Sequence, residues 1–303
     1  LLLKIRASLA RSEHLGGIES LWAELGVEMT LALIAKVRSQ GASMTPALGR
    51  VAERVLATPD AVLYQSITEL AEDAGSSEAS VMRFCRELDF SGFQDFKLAL
   101  AKELATEEHA GRKEPEPDAV KNLVDTAITA LRETEQLLDR AAIEAAAKRI
   151  LAASQVEIFG VAASGVTAEY LHYKLTRVGI RSRALSDAHV ASMVADTSGA
   201  SAVHVIISSS GSTVDTVRVA KLARARGAFV VGVTNRAKSP LVASCNLALV
   251  ASWPETPLTG GAFPSKISQL LIVDALLAYL SKLAPERLEI INRTAGSVSD
   301  RSY

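Results

Sequence analysis

Between residues 156 and 252 the chain repeats one pattern, a short apolar run followed by a longer amphipathic stretch. The runs are VEIFGV (156–161), IRSRALS (180–186), AVHVIIS (202–208), FVVGVTN (229–235) and LALVAS (247–252). They are rich in Val and Ile and apolar nearly throughout, as strands buried on both faces must be. A strand, a helix and another strand in succession return the chain to its starting end. Repetition of that unit builds a parallel sheet with helices on both sides. Few other folds accept this order.

Ligands of such sheets sit beyond the carboxyl ends of the strands, near the point where strand order reverses. Two loops at those ends are unusual. GVAASGVTAEY (160–170) is kept small by Gly160, Ser164 and Gly165, and passes at once into a helical pattern. IISSSGSTVDTV (206–217) places Ser208, Ser209, Ser210, Ser212 and Thr213 around Gly211, where a strand turns into a helix. Both bring backbone N–H groups to a helix N-terminus, which favours an anion. The hydroxyls add donors without charge, and Gly211 allows close backbone approach. The combination predicts a phosphate monoester held without lysine, although a merely polar turn uses the same residues.

Other chemistries lack their residues. No Ser in either loop has glycines on both sides, as a nucleophile elbow needs. Neither a G-x-G-x-x-G nor a P-loop lysine is present, and no cofactor is implied. His204 lies inside a strand run, where a satisfied core histidine is expected. His189, in SDAHVASM, is the best remaining histidine for a ligand contact. The segment PETPLTGGAFPSKISQL could close over a ligand through Gly260 and Gly261, with Ser265 or Lys266 meeting a sugar hydroxyl or phosphate.

The first third reads differently. From about residue 30 to 104 the apolar periodicity is helical throughout, broken by Gly, Pro and Ser into short helices. In SITELAEDAGSSEASVMRFCREL, Ser66 with Glu69 forms a capping box and Gly75 supplies a tight turn. Ser76 or Ser77 caps the next helix. Two helices joined this way have helix-turn-helix geometry, although a plain bundle uses the same spacing. Hydroxyls at Ser77 and Ser80 with Arg83 and Arg86 one turn on suit a recognition helix. Lys97 extends the basic stripe.

Bulk properties limit the rest. At 303 residues and 49% apolar the chain suits two domains, and 33 basic against 34 acidic residues leave a formal charge of -1. Any DNA contact must then be local. Cys85 and Cys245 lie in different expected domains with no CxxC, which fits a reducing compartment and no metal site. No run of about 18 uncharged apolar residues is present and the N-terminal stretch reads as no secretory signal, so a cytoplasmic protein with no membrane contact is expected. The expected divisions are an unassigned extension (1–29), a helical DNA-binding domain (30–106), a charged Pro-containing linker (107–119), the α/β domain (120–285) and a tail (286–303).

The run ITELAEDAGSSEASVMRFCRELDFSGFQDFKLAL resembles the N-terminal domain of the RpiR family of bacterial transcription regulators. Their pattern, A-x-x-x-x-V-S-x-x-[ST]-V-x-R-F-x-[RK]-x-L-G-[FY]-x-G-[FY]-x-[ED]-[FL]-[KR], is met by Ala71, Ser77, Ser80, Val81, Arg83, Phe84, Arg86, Leu88, Phe90, Gly92, Phe93, Phe96 and Lys97. Ser76 replaces the usual Val, which should loosen the turn. Asp89 replaces the usual Gly and adds a negative charge at the recognition helix's end. Residues from about 150 to 240 look like a sugar isomerase (SIS) domain. Its S-x-S-G-x-[TS] loop is matched by Ser208, Ser210, Gly211 and Thr213, and its G-x-x-x-S loop by Gly160 and Ser164.

The resemblance implies an all-α helix-turn-helix domain joined to an α-β-α sandwich with a five-stranded parallel sheet in flavodoxin-like order. It implies a transcriptional regulator of sugar metabolism genes whose partners are a double-stranded DNA operator and a phosphosugar effector. The effector site is expected at Ser164, Ser208, Ser210, Gly211, Ser212, Thr213 and Ser265. DNA contacts are expected from Ser66, Ser77, Ser80, Arg83, Arg86 and Lys97. Related isomerases carry a glutamate in the second loop where Ser212 stands, and a hydroxyl is no base at neutral pH without an activator. A sensor is therefore expected rather than an enzyme, the competing reading being a phosphosugar isomerase or lyase with an attached helical domain. Paired DNA half-sites imply a homodimer or homotetramer, for which the apolar 265–283 helix is a candidate contact.

Overall fold

The computed structural model describes residues 33–111 and 118–297; the expected 1–29 extension lies outside them. Six helices come first: α1 (Leu33–Gly41), α2 (Pro46–Ala57), α3 (Pro59–Tyr64), α4 (Ile67–Asp73), α5 (Glu78–Glu87) and α6 (Phe93–Gly111). Pro46 and Pro59 open α2 and α3 at the position where a missing N–H costs nothing. Ser66 caps α4 in the expected box with Glu69. Val37, Val51, Leu70, Phe84 and Phe96 form the centre of one core, where the Phe84 and Phe96 rings meet edge to face at 5.4 Å.

The α4–α5 turn departs from expectation twice. Ser76 does not loosen it, because its hydroxyl donates to the Ala47 carbonyl at 3.2 Å. Arg50 of α2 also donates to the Gly75 carbonyl at 2.8 Å. Asp89 ends α5 at φ 67, the left-handed position that glycine fills most easily. Phe90 N–H donates to the Cys85 carbonyl and Asp89 N–H to that of Arg86, closing the helix. Its added charge is paired, since Lys36 Nζ lies 2.9 Å from Asp89 Oδ2.

The second unit comprises α7 (Ala119–Leu137), α8 (Arg140–Ala152), β1 (Gln155–Phe159), α9 (Ala163–Arg177), β2 (Ser182–Leu185), α10 (Ala188–Thr197), β3 (Ala202–Ile207), α11 (Val214–Ala225), β4 (Phe229–Thr234), α12 (Pro240–Ser244), β5 (Leu247–Val250), α13 (Phe263–Leu283) and α14 (Leu288–Gly296). The sheet is parallel with order β2-β1-β3-β4-β5, as expected. Its two faces carry separate apolar layers. Residues of α8, α9 and α13 pack on Ile158, Val205 and Val231, whereas α10, α11 and α12 pack on Phe159, Ile206 and Val230.

Two expected boundaries need correction. Helix α6 runs to Gly111, well into the expected linker. The expected tail contains α14, which is docked rather than trailing: Arg287 Nη1 donates to the Val178 carbonyl at 2.9 Å and Thr294 Oγ1 to that of Arg177. Helix α13, expected as a subunit contact, is long and apolar enough to cross a membrane by length and composition. One face of it, with Ile272, Val273, Leu276 and Leu280, is buried within this chain's own core.

His204 on β3 is a satisfied core histidine, its Nε2 lying 2.8 Å from Ser198 Oγ. Burial pushes its imidazole down to about 4, with Glu157 opposing and Arg183 reinforcing the shift. In the unfolded chain this group takes a proton near pH 6.5. Between those values the unfolded state holds more protons, so stability falls as pH drops from 6.5 towards 4. The whole window amounts to about 3 kcal/mol. Denaturant unfolding across that range should lose stability less steeply in His204→Gln than in the parent; equal slopes would contradict the assignment.

Candidate functional site

Strand order reverses between β1 and β3. The loop after β1 leads to one side of the sheet and the loop after β3 to the other, which opens a crevice at their carboxyl ends. A cavity of about 330 Å³ lies there, lined by Ala162, Ser164, Ser208, Ser209, Ser210, Thr213, Glu255 and Lys266 among others. Three helices begin at its wall: α9 after Ala162, α11 after Thr213 and α13 after Ala262. None of the three has a side-chain cap. Asp118, Asp139 and Asp187 cap α7, α8 and α10 in the same domain. First-turn N–H groups lack intrahelical partners. Three uncapped N-termini therefore turn partial positive charge on one small cavity, with no capping carboxylate to repel an anion.

The loops hold their shape through close backbone contacts. Gly160 is required because a Cβ there would lie 2.6 Å from the Ser164 carbonyl oxygen. Gly211 combines φ 61 with a position where a Cβ would lie 2.2 Å from Ser239 Oγ. Ala162 has φ 50 and ψ -130, a conformation unfavourable for any residue with a Cβ, on the cavity wall itself.

Of the residues expected to bind the effector, Ser164, Ser208, Ser210 and Thr213 line the cavity. Gly211 and Ser212 shape the loop instead. Ser212 N–H donates to Ser210 Oγ at 3.2 Å and its hydroxyl donates back to the Ser210 carbonyl. Ser265 is wholly buried one residue short of the wall, its hydroxyl without a partner among the described residues. A helical turn directs its neighbour inward in its place. His189 lies apart, in a second depression with Asp215 and Arg218.

Lys266, the candidate offered beside Ser265, lines the cavity and brings to it a cation that the hydroxyl loops alone do not supply. Its ammonium donates to Ser209 Oγ at 2.7 Å and to Gln269 Oε1 at 3.1 Å, and lies 3.5 Å from Glu255 Oε1. Burial lowers its pKa, against the pull of Glu255. Ser209 and Glu255 join it as cavity residues that the sequence did not single out. Serine 209 was one hydroxyl in a run, and Glu255 lies in an irregular segment 11 residues before the lysine it pairs with. No residue spacing signals that pairing.

The helical domain places its expected DNA contacts unequally. Ser77, which caps α5, and Arg83 and Arg86 on that helix are exposed. Ser80 is buried, sharing a 3.0 Å hydrogen bond with Ser77. Ser66 is buried by its cap and by donating to the Lys238 carbonyl at 2.6 Å. Lys97 is 3% exposed: its ammonium donates to the Gln65 carbonyl at 2.9 Å and sits over the Phe93 ring. Burial pushes it down to about 8, and Arg236 acts in the same direction. As folded, none of these three offers its polar group to an outside ligand. The exposed stripe reduces to Ser77, Arg83 and Arg86.

This arrangement, a helix-turn-helix unit followed by a parallel α/β domain with a hydroxyl-lined cavity at its strand ends, defines a class of two-part proteins. Family models match in the same order: the helix-turn-helix domain of the rpiR family at residues 31–107 and the SIS domain at 149–279. An HTH-type transcriptional regulator of Haemophilus influenzae is 33% identical over 254 residues, 81% of this chain and 88% of that protein. HexR of Escherichia coli is 31% identical, over 80% of this chain and 86% of its own length. The structure of Vibrio vulnificus NanR complexed with ManNAc-6P matches with TM-score 0.84 and 35% identity, covering 89% of this chain and all of that one. The chain belongs to the RpiR family of helix-turn-helix transcriptional regulators.

Replacing Ala162 by Gly removes the Cβ that its backbone angles disfavour. The substitution is expected to stabilise the fold by about 1 kcal/mol after glycine's entropy loss, read from the denaturant midpoint. Destabilisation would mean that the residue is relaxed as it stands.

Proposed function

We propose that the SIS domain senses a phosphosugar and so sets the DNA affinity of the helical domain. The observation that carries this is the convergence of three uncapped helix N-termini and the Lys266 ammonium on the Ser208–Thr213 loop. Neutral hydroxyls at Ser164, Ser208, Ser210 and Thr213 supply donors to the phosphate oxygens, and Lys266 supplies the one formal cation among the described residues. A cavity of about 330 Å³ suits one sugar monophosphate. ManNAc-6P, the ligand of the NanR complex, is the first compound to test.

A sensor fits these residues better than an isomerase. Moving a proton between sugar carbons needs a free base. Among the described residues, Glu255 is the one carboxylate at the cavity wall, and it faces Lys266 at 3.5 Å. Ser212 is turned onto its own loop. Two recognition helices on paired half-sites require at least a dimer, acting on chromosomal DNA in the cytoplasm.

Thermal unfolding with ManNAc-6P and a panel of hexose and pentose phosphates tests the site. A compound at a hundred times its Kd should stabilise the parent by about 2.7 kcal/mol. Ser210→Ala, Thr213→Ala and Lys266→Met should lose most of that gain and keep their DNA affinity. Stabilisation as large as the parent's in all three would refute the site.

On DNA, Arg83→Ala and Arg86→Ala should each weaken specific binding by about 1–3 kcal/mol in fluorescence anisotropy. Lys97→Met should leave the salt dependence of binding unchanged, because its ammonium is occupied inside the domain. A shallower salt slope in Lys97→Met would show that Lys97 reaches DNA.

A further inference from the structure

The segment from Thr234 to Ser239, which joins β4 to α12, touches the effector loop on one side and the helix-turn-helix on the other. On the inner side, the Ser209 carbonyl accepts from Asn235 N–H at 3.1 Å and from Thr234 Oγ1 at 3.3 Å. Ser239 lies so close to Gly211 that no Cβ fits between them, and Leu241 N–H donates to the Gly211 carbonyl at 2.9 Å. The loop can scarcely shift without moving the segment.

On the outer side, the same few residues hold α4. The Lys238 carbonyl accepts from the hydroxyl of Ser66, the residue that caps α4. Lys238 Nζ lies 2.5 Å from Glu72 Oε2, and Arg236 Nη1 lies 3.8 Å from Glu69 Oε2. Helix α4 is tied in turn to the recognition helix, where Thr68 Oγ1 donates to Glu78 Oε1 at 2.5 Å.

We infer that the segment Thr234–Ser239 transmits occupancy of the Ser208–Thr213 loop to α4, with Lys238 as the positioning residue on the DNA-binding domain. The inference rests on the reading of the cavity as a phosphate site. An anion among the hydroxyls draws the Lys266 ammonium, which now donates to Ser209 Oγ. Ser209 is the residue whose carbonyl anchors Thr234 and Asn235. Its displacement reaches Lys238 three residues further on and acts at the cap of α4. The Lys238–Glu72 pair alone is exposed and weakly stabilising. Its value lies in register: it fixes which part of α4 faces the segment. Burial also leaves Arg236 with an unpartnered Nη2, so the contact has a second arrangement available without breaking a satisfied network.

The test is hydrogen exchange on the full chain, with and without excess ManNAc-6P and, separately, excess inorganic phosphate. Thermal unfolding of the same samples reports occupancy. Occupancy is expected to change exchange of the α4 amides by roughly fivefold or more. Lys238→Glu should keep the thermal shift and lose the α4 response, and Lys238→Glu with Glu72→Lys should regain it. A thermal shift with unchanged α4 exchange in the parent would overturn the transmission and leave the site standing. So would a full α4 response in Lys238→Glu, or no recovery in the charge-swapped double variant. No thermal shift with either probe would overturn the phosphate reading and this inference with it. Arg236→Gln provides a second variant should Lys238→Glu fail to fold, and it too should keep the thermal shift while losing the α4 response; an intact response there counts against the transmission.

Discussion

The α/β domain's ligand crevice is organised around Ser209. Its hydroxyl takes hydrogen bonds from Lys266 and Gln269 of α13, and its carbonyl takes two more from Thr234 and Asn235 at the end of β4. Gln269 also donates to Asn235 Oδ1 and accepts from Thr167 of α9. One loop residue thereby joins three elements that are far apart in the chain. Buried polar groups are costly when unpaired, so this network has few alternative arrangements, and each of them moves several elements together. On the proposed reading, that property lets a small anion have a large effect.

The site uses charge sparingly. A cluster of lysines would hold phosphate more tightly, but each would have to be desolvated within the cavity and would repel the others. Partial charges at the ends of α9, α11 and α13 avoid that cost, because they belong to the backbone. Lys266, the one lysine at the cavity among the described residues, lies 3.5 Å from Glu255 Oε1. On the proposed reading, an incoming phosphate competes with Glu255 for Lys266, and this exchange of partners distinguishes the occupied from the empty state.

How far the sequence revealed this depends on the distance over which each feature is determined. The five strands were legible because apolar runs of this kind have one stable environment, and all five appear within a few residues of their expected limits. The capping box at Ser66 and the turn at Gly75 were equally local. Gly160, Ser164 and Gly211 were legible because tight backbone approaches tolerate few residue types. Lys97 misleads because an amphipathic helix pattern gives no sign that a lysine will fold back onto the Leu63 and Gln65 carbonyls. Lys266 lines the cavity and Ser265 does not, because one residue of helical rotation separates their directions and the apolar pattern does not fix which faces inward. The contact of Ser66 with Lys238 spans 172 residues. It depends on how two domains meet, about which neither domain's periodicity carries information.

Fluorescence anisotropy of labelled operator DNA, titrated with the chain at fixed salt in the absence and presence of the sugar phosphate that most stabilises it, measures the coupling between the two domains. The DNA dissociation constant should change by about 5- to 150-fold, with a half-effect at the sugar phosphate concentration that half-saturates the α/β domain. A DNA affinity that stays constant while the sugar phosphate saturates its site would contradict that coupling.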